Sequence, residues 1–251
     1  MEDNIIFGRH PVLEALKAKK PLDRIMIKKG ISPDFIYKIR KEAAKAGIPF
    51  TLVGEEALSR VCGAGANHQG VAAKVSARVY NTLEEIFAAA QEKGESPFIL
   101  VLNEVQDPQN LGSLLRSALG AGVHGVIIPR HRSVRITPVV SKVSAGADAY
   151  LKIAIVTNIA DTVEKLKEAG LWAVGAEADG EVSLFNFKYS GPVALILGGE
   201  SGGLGKRVRN SCNEVVSIPL AGPVNSLNVG VSGAILMYKI FEARKTLQGE
   251  V

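Results

Sequence analysis

FILVLNEVQDPQNLGSLLRSALGAGVHGVII, residues 98–128, decides the fold. It opens with an unbroken apolar run, Phe98–Leu102. Helical spacing follows over about Asn110–Ala121, and a second apolar run, Gly125–Ile128, closes it. Continuous apolar runs, rather than alternating ones, mark strands buried on both faces. Strand, helix, strand in succession predicts parallel neighbours. The pattern continues downstream. Helices are expected near Pro138–Ser144 and Ile159–Ala169, strands at Leu151–Val156, Leu171–Ala176, Val193–Leu197 and Val215–Ile218, and a long last helix over Asn228–Thr246. Residues 97–251 therefore read as an α/β domain with a parallel sheet covered on both faces.

Upstream, residues 1–76 read as a smaller α/β unit. Strands are expected at Arg24–Lys29, Phe50–Val53 and Gly70–Val75, a helix at Pro33–Ala46, and a loop at Cys62–Gly70. Residues 77–96 read as a linker carrying one amphipathic helix, Thr82–Lys93, with Thr82 or Asn81 as its N-cap. Charge is unevenly spread. Residues 1–75 hold 13 Lys/Arg against 8 Asp/Glu, which accounts for the whole net charge of +5. A basic module joined to a neutral one suggests an anionic partner such as nucleic acid, although +5 alone is an ordinary value.

Several classes are excluded. With 47% hydrophobic residues the chain can bury a real core, and no apolar run reaches the roughly 18 residues of a membrane span. The start, MEDNIIFGRH, lacks the apolar centre of a signal peptide, so a cytoplasmic location is expected. Two cysteines, Cys62 and Cys212, make no disulfide framework, and the four histidines show no metal-ligand spacing, so no metal is expected. GAGVHG, residues 120–125, matches a dinucleotide fingerprint, but a helix precedes it where a strand is required. The glycine-rich run before Lys206 is not a P-loop, because Glu200 and Arg207 stand at defining positions.

Ligands of open α/β sheets bind where strands end. After Phe98–Leu102 comes a segment with Asn110 near the helix start and Arg116 about two turns in, among Leu111, Leu114, Leu115, Ala118 and Leu119. Such a cation is expected to have a partner. After Val193–Leu197 comes GGESGGLG, residues 198–205, in which glycines surround Glu200. After Val215–Ile218 comes a Pro/Gly loop leading to Ser226 and Asn228 beside the last helix. Each has an ordinary reading as a cap, a solvated cation or a turn. Three such loops at three strand ends are less easily explained that way.

Together the three segments resemble the signature motifs of the SpoU/TrmH family of RNA 2′-O-methyltransferases. Asp107–Ala118 resembles the first, Leu197–Gly205 the second and Ile218–Ile235 the third, in family order. Phe7–Leu16 and Asn67–Val75 resemble the ends of the small substrate-binding domain of the subgroup that methylates guanosine in 23S rRNA. There are two departures: Leu220 stands where the family often has Met, and Gly230 where many members have Ser.

The resemblance implies a C-terminal trefoil knot, S-adenosylmethionine as cofactor, and a homodimer that builds each active site from two chains. It implies catalytic roles for Asn110, Arg116, Glu200, Ser226 and Asn228, and cofactor contacts at Leu197, Gly198, Gly199, Ile218 and Leu227. RNA contact is expected at Arg9 in the basic module and at Arg130, Arg132 and Arg135 in the cationic stretch after Gly125–Ile128. The expected activity is ribose methylation of a guanosine in 23S rRNA. A tRNA ribose methyltransferase and a non-catalytic RNA-binding protein are the alternatives.

Overall fold

A computed structural model describes residues 5–17, 21–63, 65–76, 80–188, 191–199 and 202–247 in two units, the second beginning at Tyr80. The first unit contains β1 (Ile5–Phe7), α1 (Arg9–Lys17), β2 (Leu22–Lys28), α2 (Pro33–Lys45), β3 (Phe50–Val53), α3 (Glu55–Cys62) and β4 (Val71–Val75). The sheet order is β1-β4-β2-β3, with β4 antiparallel to both neighbours and β2 parallel to β3. Strand residues alternate between faces, and β2 shows the consequence. Ile25 and Ile27 join Val12, Leu16 and Ile39 in one apolar cluster, while Met26 joins Leu58 and Cys62 of α3 in another.

The second unit contains α4 (Leu83–Glu92), β5 (Phe98–Asn103), α5 (Pro108–Gly120), β6 (Gly125–Pro129), α6 (Pro138–Val143), β7 (Lys152–Val156) and α7 (Ile159–Glu168). It continues with β8 (Trp172–Ala176), β9 (Val182–Ser183), β10 (Val193–Gly198), α8 (Gly205–Ser211), β11 (Glu214–Ser217) and α9 (Val229–Leu247). The seven strands are parallel, in the order β7-β6-β5-β10-β8-β11-β9. Phe98, Leu100 and Leu102 face the core that includes α5 and α9. Ile99 and Val101 face the core that includes α4 and α7. All five are fully buried, and each contributes about 1.5–3 kcal/mol by leaving water. From β5 the chain steps outward through β6 and β7. It then crosses to β8 and returns to place β10 between β5 and β8. This reversal opens the crevice at the strand ends in which such sheets bind ligands.

Residues 80–96, within the stretch read as a linker carrying one amphipathic helix, lie in the second unit. Thr82 closes a capping box with Glu85, and Ile86 and Ala90 of α4 are buried in the second unit's core. Asn81 binds β7, accepting from the Ile153 N–H at 3.0 Å. Helix α5 begins at Pro108, with Asp107 as its N-cap accepting from Gln109 N–H at 3.1 Å. Asn110 thus lies inside the first turn rather than at the cap.

His124 lies buried behind β5. Its Nδ1 accepts from the Phe98 N–H at 3.0 Å, leaving the proton on Nε2, which faces Glu95 at 3.2 Å. Burial holds its pKa below the ordinary imidazole value, against the opposing pull of Glu95. The unfolded chain therefore binds this proton more readily than the folded one. Stability should be intact above about pH 6.5 and fall as the pH drops through that value. Urea midpoints measured from about pH 7.5 to 5 should decline, and His124→Asn should flatten the decline. An unchanged slope in the variant would assign the acid sensitivity to other groups.

Candidate active site

The loops after β8, β10 and β11 and the start of α9 enclose a cavity of about 580 Å³. Leu197, Gly198 and Gly199 form one side, and Ile218, Leu220 and Leu227 another. Ser226 and Asn228 also line it. All five residues expected to hold a cofactor therefore line a single cavity. Gly198 is required by packing. A Cβ there would lie 2.1 Å from the Gly203 carbonyl carbon and 2.2 Å from its oxygen. Gly199 is equally tight, since a Cβ on it would lie 2.4 Å from the Glu104 carbonyl oxygen. The two ends of this glycine-rich loop pair, Gly203 N–H donating to the Gly199 carbonyl at 3.1 Å.

Sequence reasoning missed the contribution of β8. Glu177 and Asp179 follow that strand and line the cavity. The strand-end rule that singles out the other loops applies equally to LWAVGA, residues 171–176, and would have found them. Glu177 accepts from the Leu204 N–H at 2.9 Å and forms an ion pair with Arg209, which also meets Asp179 at 2.9 Å. Hydrogen bonds that Arg209 donates to Glu177 and then to Asp179 hold its pKa above its ordinary value. On the other side, Asn103 Nδ2 donates to the Leu204 carbonyl at 3.1 Å. The glycine-rich loop is thus tied to both neighbouring strands. Cys212 lies beneath it, its thiol pushed up to about 12 by burial, which leaves it protonated and unreactive.

Asn228, not Ser226, caps α9. Its Oδ1 accepts from Gly230 N–H at 2.9 Å and Val231 N–H at 3.4 Å. Its amide donates to Asn110 Oδ1 at 2.9 Å, joining the first turns of α5 and α9 across 118 residues of sequence. Asn110 is buried, and Ser226 is exposed at the cavity rim. Gly230 packs against this junction, where a Cβ would lie 3.1 Å from Asn228 Oδ1 and 3.3 Å from Ser113 Oγ.

Arg116 does not find the expected partner. Leu111, Leu114, Leu115 and Ala118 turn inward, and Arg116 occupies the opposite, exposed face of α5. No hydrogen bond or ion pair ties it to the described residues. Helical phase accounts for this: at 3.6 residues per turn the outer stripe holds Ser113 and Arg116. Glu200 lies outside the described residues.

The four arginines expected to meet RNA have separate fates. Arg135 folds back onto its own loop, donating to the Pro129 carbonyl at 3.4 Å and to that of Arg130. Arg130 is half-buried, its Nε lacks a hydrogen-bond partner, and burial lowers its pKa, aided by neighbouring Arg135. Only Arg132 projects from this loop, where it pairs with Glu104 at 3.0 Å. In the first unit, Arg9 stacks 4.8 Å from the Phe35 ring centroid, and its backbone N–H donates to Gln69 Oε1 at 3.0 Å. Among the described residues no cluster of His, Cys, Asp or Glu could hold a metal, and no helix is long and apolar enough to cross a membrane.

A parallel sheet whose strand-end loops wall a cavity defines an α/β domain joined to the smaller first unit. Residues 97–238 match the model of the SpoU rRNA methylase family, and residues 5–81 match the model for RNA 2′-O ribose methyltransferase substrate binding. The chain belongs to the SpoU/TrmH family of RNA methyltransferases. A Bacillus subtilis protein named for the TrmH family of tRNA/rRNA methyltransferases is 36% identical over 243 residues, covering 97% of each chain. A Staphylococcus aureus protein named for the same family is 38% identical over the full length of both. The SpoU methyltransferase AviRb of Streptomyces viridochromogenes, solved with AdoMet, shares the fold at a TM-score of 0.59 and 23% identity, over 96% of this chain and 90% of that one.

Proposed function

We propose that this chain transfers a methyl group from S-adenosylmethionine to the 2′-hydroxyl of a guanosine ribose in 23S rRNA. The observation that carries this reading is the cavity built around Gly198, in a chain of the SpoU/TrmH family. Its lining suits the cofactor. Leu197, Ile218 and Leu227 offer apolar walls to an adenine, and Gly198 and Gly199 let backbone amide groups approach its polar edges. When bound, the cofactor supplies an electrophilic methyl on a sulfonium.

The chain's own residues position the ribose and stabilise its 2′-oxygen as the hydroxyl proton leaves to solvent. A guanidinium is a poor general base. In this reading Arg116 orients a phosphate or stabilises the alkoxide developing on the 2′-oxygen. Ser226, at the cavity rim, orients the ribose. The Asn110–Asn228 pair holds α5 and α9 in register beside it. Exposure of Arg116 fits an active site completed by a second chain. Half-exposed Val231, Ile235 and Tyr238 on α9 offer apolar surface for the homodimer. The knotted path of the C-terminal segment and a cytoplasmic location are part of the same proposal. RNA contact rests on the basic first unit and on Arg132.

Both tRNA and rRNA appear in the names of the relatives, so the test uses both. Labelled S-adenosylmethionine is incubated with 23S rRNA and, separately, with bulk tRNA, and the labelled nucleotide is mapped. A 2′-O-methylguanosine in 23S rRNA is the expected result. Label in tRNA alone would overturn the substrate, and tight RNA binding without cofactor binding would favour a non-catalytic role.

A further inference from the structure

A second concavity, of about 470 Å³, opens at the carboxyl ends of β5, β6 and β7. The glycine-rich loop bounds both spaces, and Gly203 lines each of them. Four separate segments bring polar groups to this cleft: Asn103 and Glu104 at the end of β5, His131 and Arg132 after β6, Thr157 after β7, and Lys206 and Arg207 at the start of α8. Glu104 is the one carboxylate among its lining residues. Arg132 is matched by Glu104 at 3.0 Å, and Arg207 by Asp161 at 2.6 Å. Lys206, His131 and the Thr157 hydroxyl have no hydrogen-bond or ion-pair partner among the described residues. All three are exposed.

The backbone here is also unusual. Glu104 and Arg132 are non-glycine residues with φ of +62° and +55°, and they pair with each other across the cleft. Left-handed conformations at such residues persist only where the surroundings enforce them, and they concentrate at binding sites. An ordinary solvated basic surface explains neither the convergence of separate loops nor this strained pair.

We infer that this cleft is a phosphodiester-binding subsite for the substrate RNA, holding a nucleotide that flanks the methylated one. The inference rests on the reading of the chain as an RNA methyltransferase. Lys206 supplies a mobile point charge, His131 and Thr157 supply hydrogen-bond donors, and Arg132 exchanges Glu104 for phosphate. Because the subsite shares the glycine-rich wall with the cofactor cavity, a nucleotide seated there fixes the register of the RNA on the catalytic rim. It contributes to RNA binding and not to the chemical step.

The test compares the full chain with Lys206→Ala, Lys206→Arg and the double variant Lys206→Ala/His131→Ala. RNA affinity is measured by filter binding over a salt series, alongside KM, kcat and calorimetric S-adenosylmethionine binding. For the double variant a KM for RNA about tenfold higher is expected, with kcat and cofactor affinity within about twofold. The slope of log affinity against log salt should be shallower by about one for each lost phosphate contact, and Lys206→Arg should restore it. Inorganic phosphate should compete with RNA no better than chloride of matched ionic strength. Stronger competition would make the cleft a free-phosphate site and overturn the assignment. An unchanged slope and KM in an active enzyme would also overturn it, and so would parallel loss of cofactor affinity. If the slope falls although the wild type methylates no RNA, the subsite stands and the proposed reaction fails.

Discussion

Arg116→Ala should lose about 10²–10³-fold in kcat, the range found when one preorganised donor to a developing oxyanion is removed. The residue lies on the outer face of α5, with no partner among the described residues, so its removal leaves no buried group unpaired. The unfolding midpoint and S-adenosylmethionine affinity should therefore match those of the wild type. Lysine should recover only part of the rate, because it offers a point charge in place of a planar fork of donors. Single-turnover methyl transfer measured beside calorimetric cofactor binding separates these effects. Wild-type turnover in the alanine variant would remove Arg116 from the mechanism.

Gly198→Ala should act on the other half of the site. The added methyl would overlap the backbone of Gly203 and Leu204, at 2.1–2.5 Å, where no side chain can swing aside. The opposing backbone is itself anchored through Leu204 to Glu177 and Asn103. The strand end and the glycine-rich loop must then separate, which distorts the cavity wall. Overpacking of this kind costs about 1–3 kcal/mol of stability. The expected loss of cofactor affinity is larger, about 100-fold or more, since a displacement of about 1 Å is enough to spoil a preorganised site. Titration calorimetry of folded protein checks it. A variant that binds S-adenosylmethionine normally would exclude this wall as the cofactor site.

Much of the second unit was legible in its linear pattern. The apolar runs at Phe98–Leu102, Gly125–Ile128 and Val193–Leu197 fall within β5, β6 and β10, and the capping signal at Thr82 is realised in full. Short elements were harder to read. Helices α1, α3 and α8 span 9, 8 and 7 residues, too few for a periodic stripe to stand out. Helix α3 also hides at the edge of a stretch whose glycines suggested a loop. In the stretch read as a linker, periodicity identifies the amphipathic helix but not the apolar surface it covers, which is the second unit's core.

The sequence by itself determined the alternation of strand and helix, the two-part organisation, and the three polar loops at strand ends. These depend on local spacing, which burial and backbone geometry translate directly into elements. Tertiary structure alone decided that β10 enters between β5 and β8, bringing Leu197–Gly199 beside Ile218 and Leu227. It decided that Asn228 caps α9 and binds Asn110, that Arg135 turns back on its own loop, and that Arg116 faces outward. Each is a choice among partners distant in sequence or among rotamers of a long side chain. Such choices are set by packing and hydrogen-bond satisfaction in three dimensions, and no local pattern encodes them.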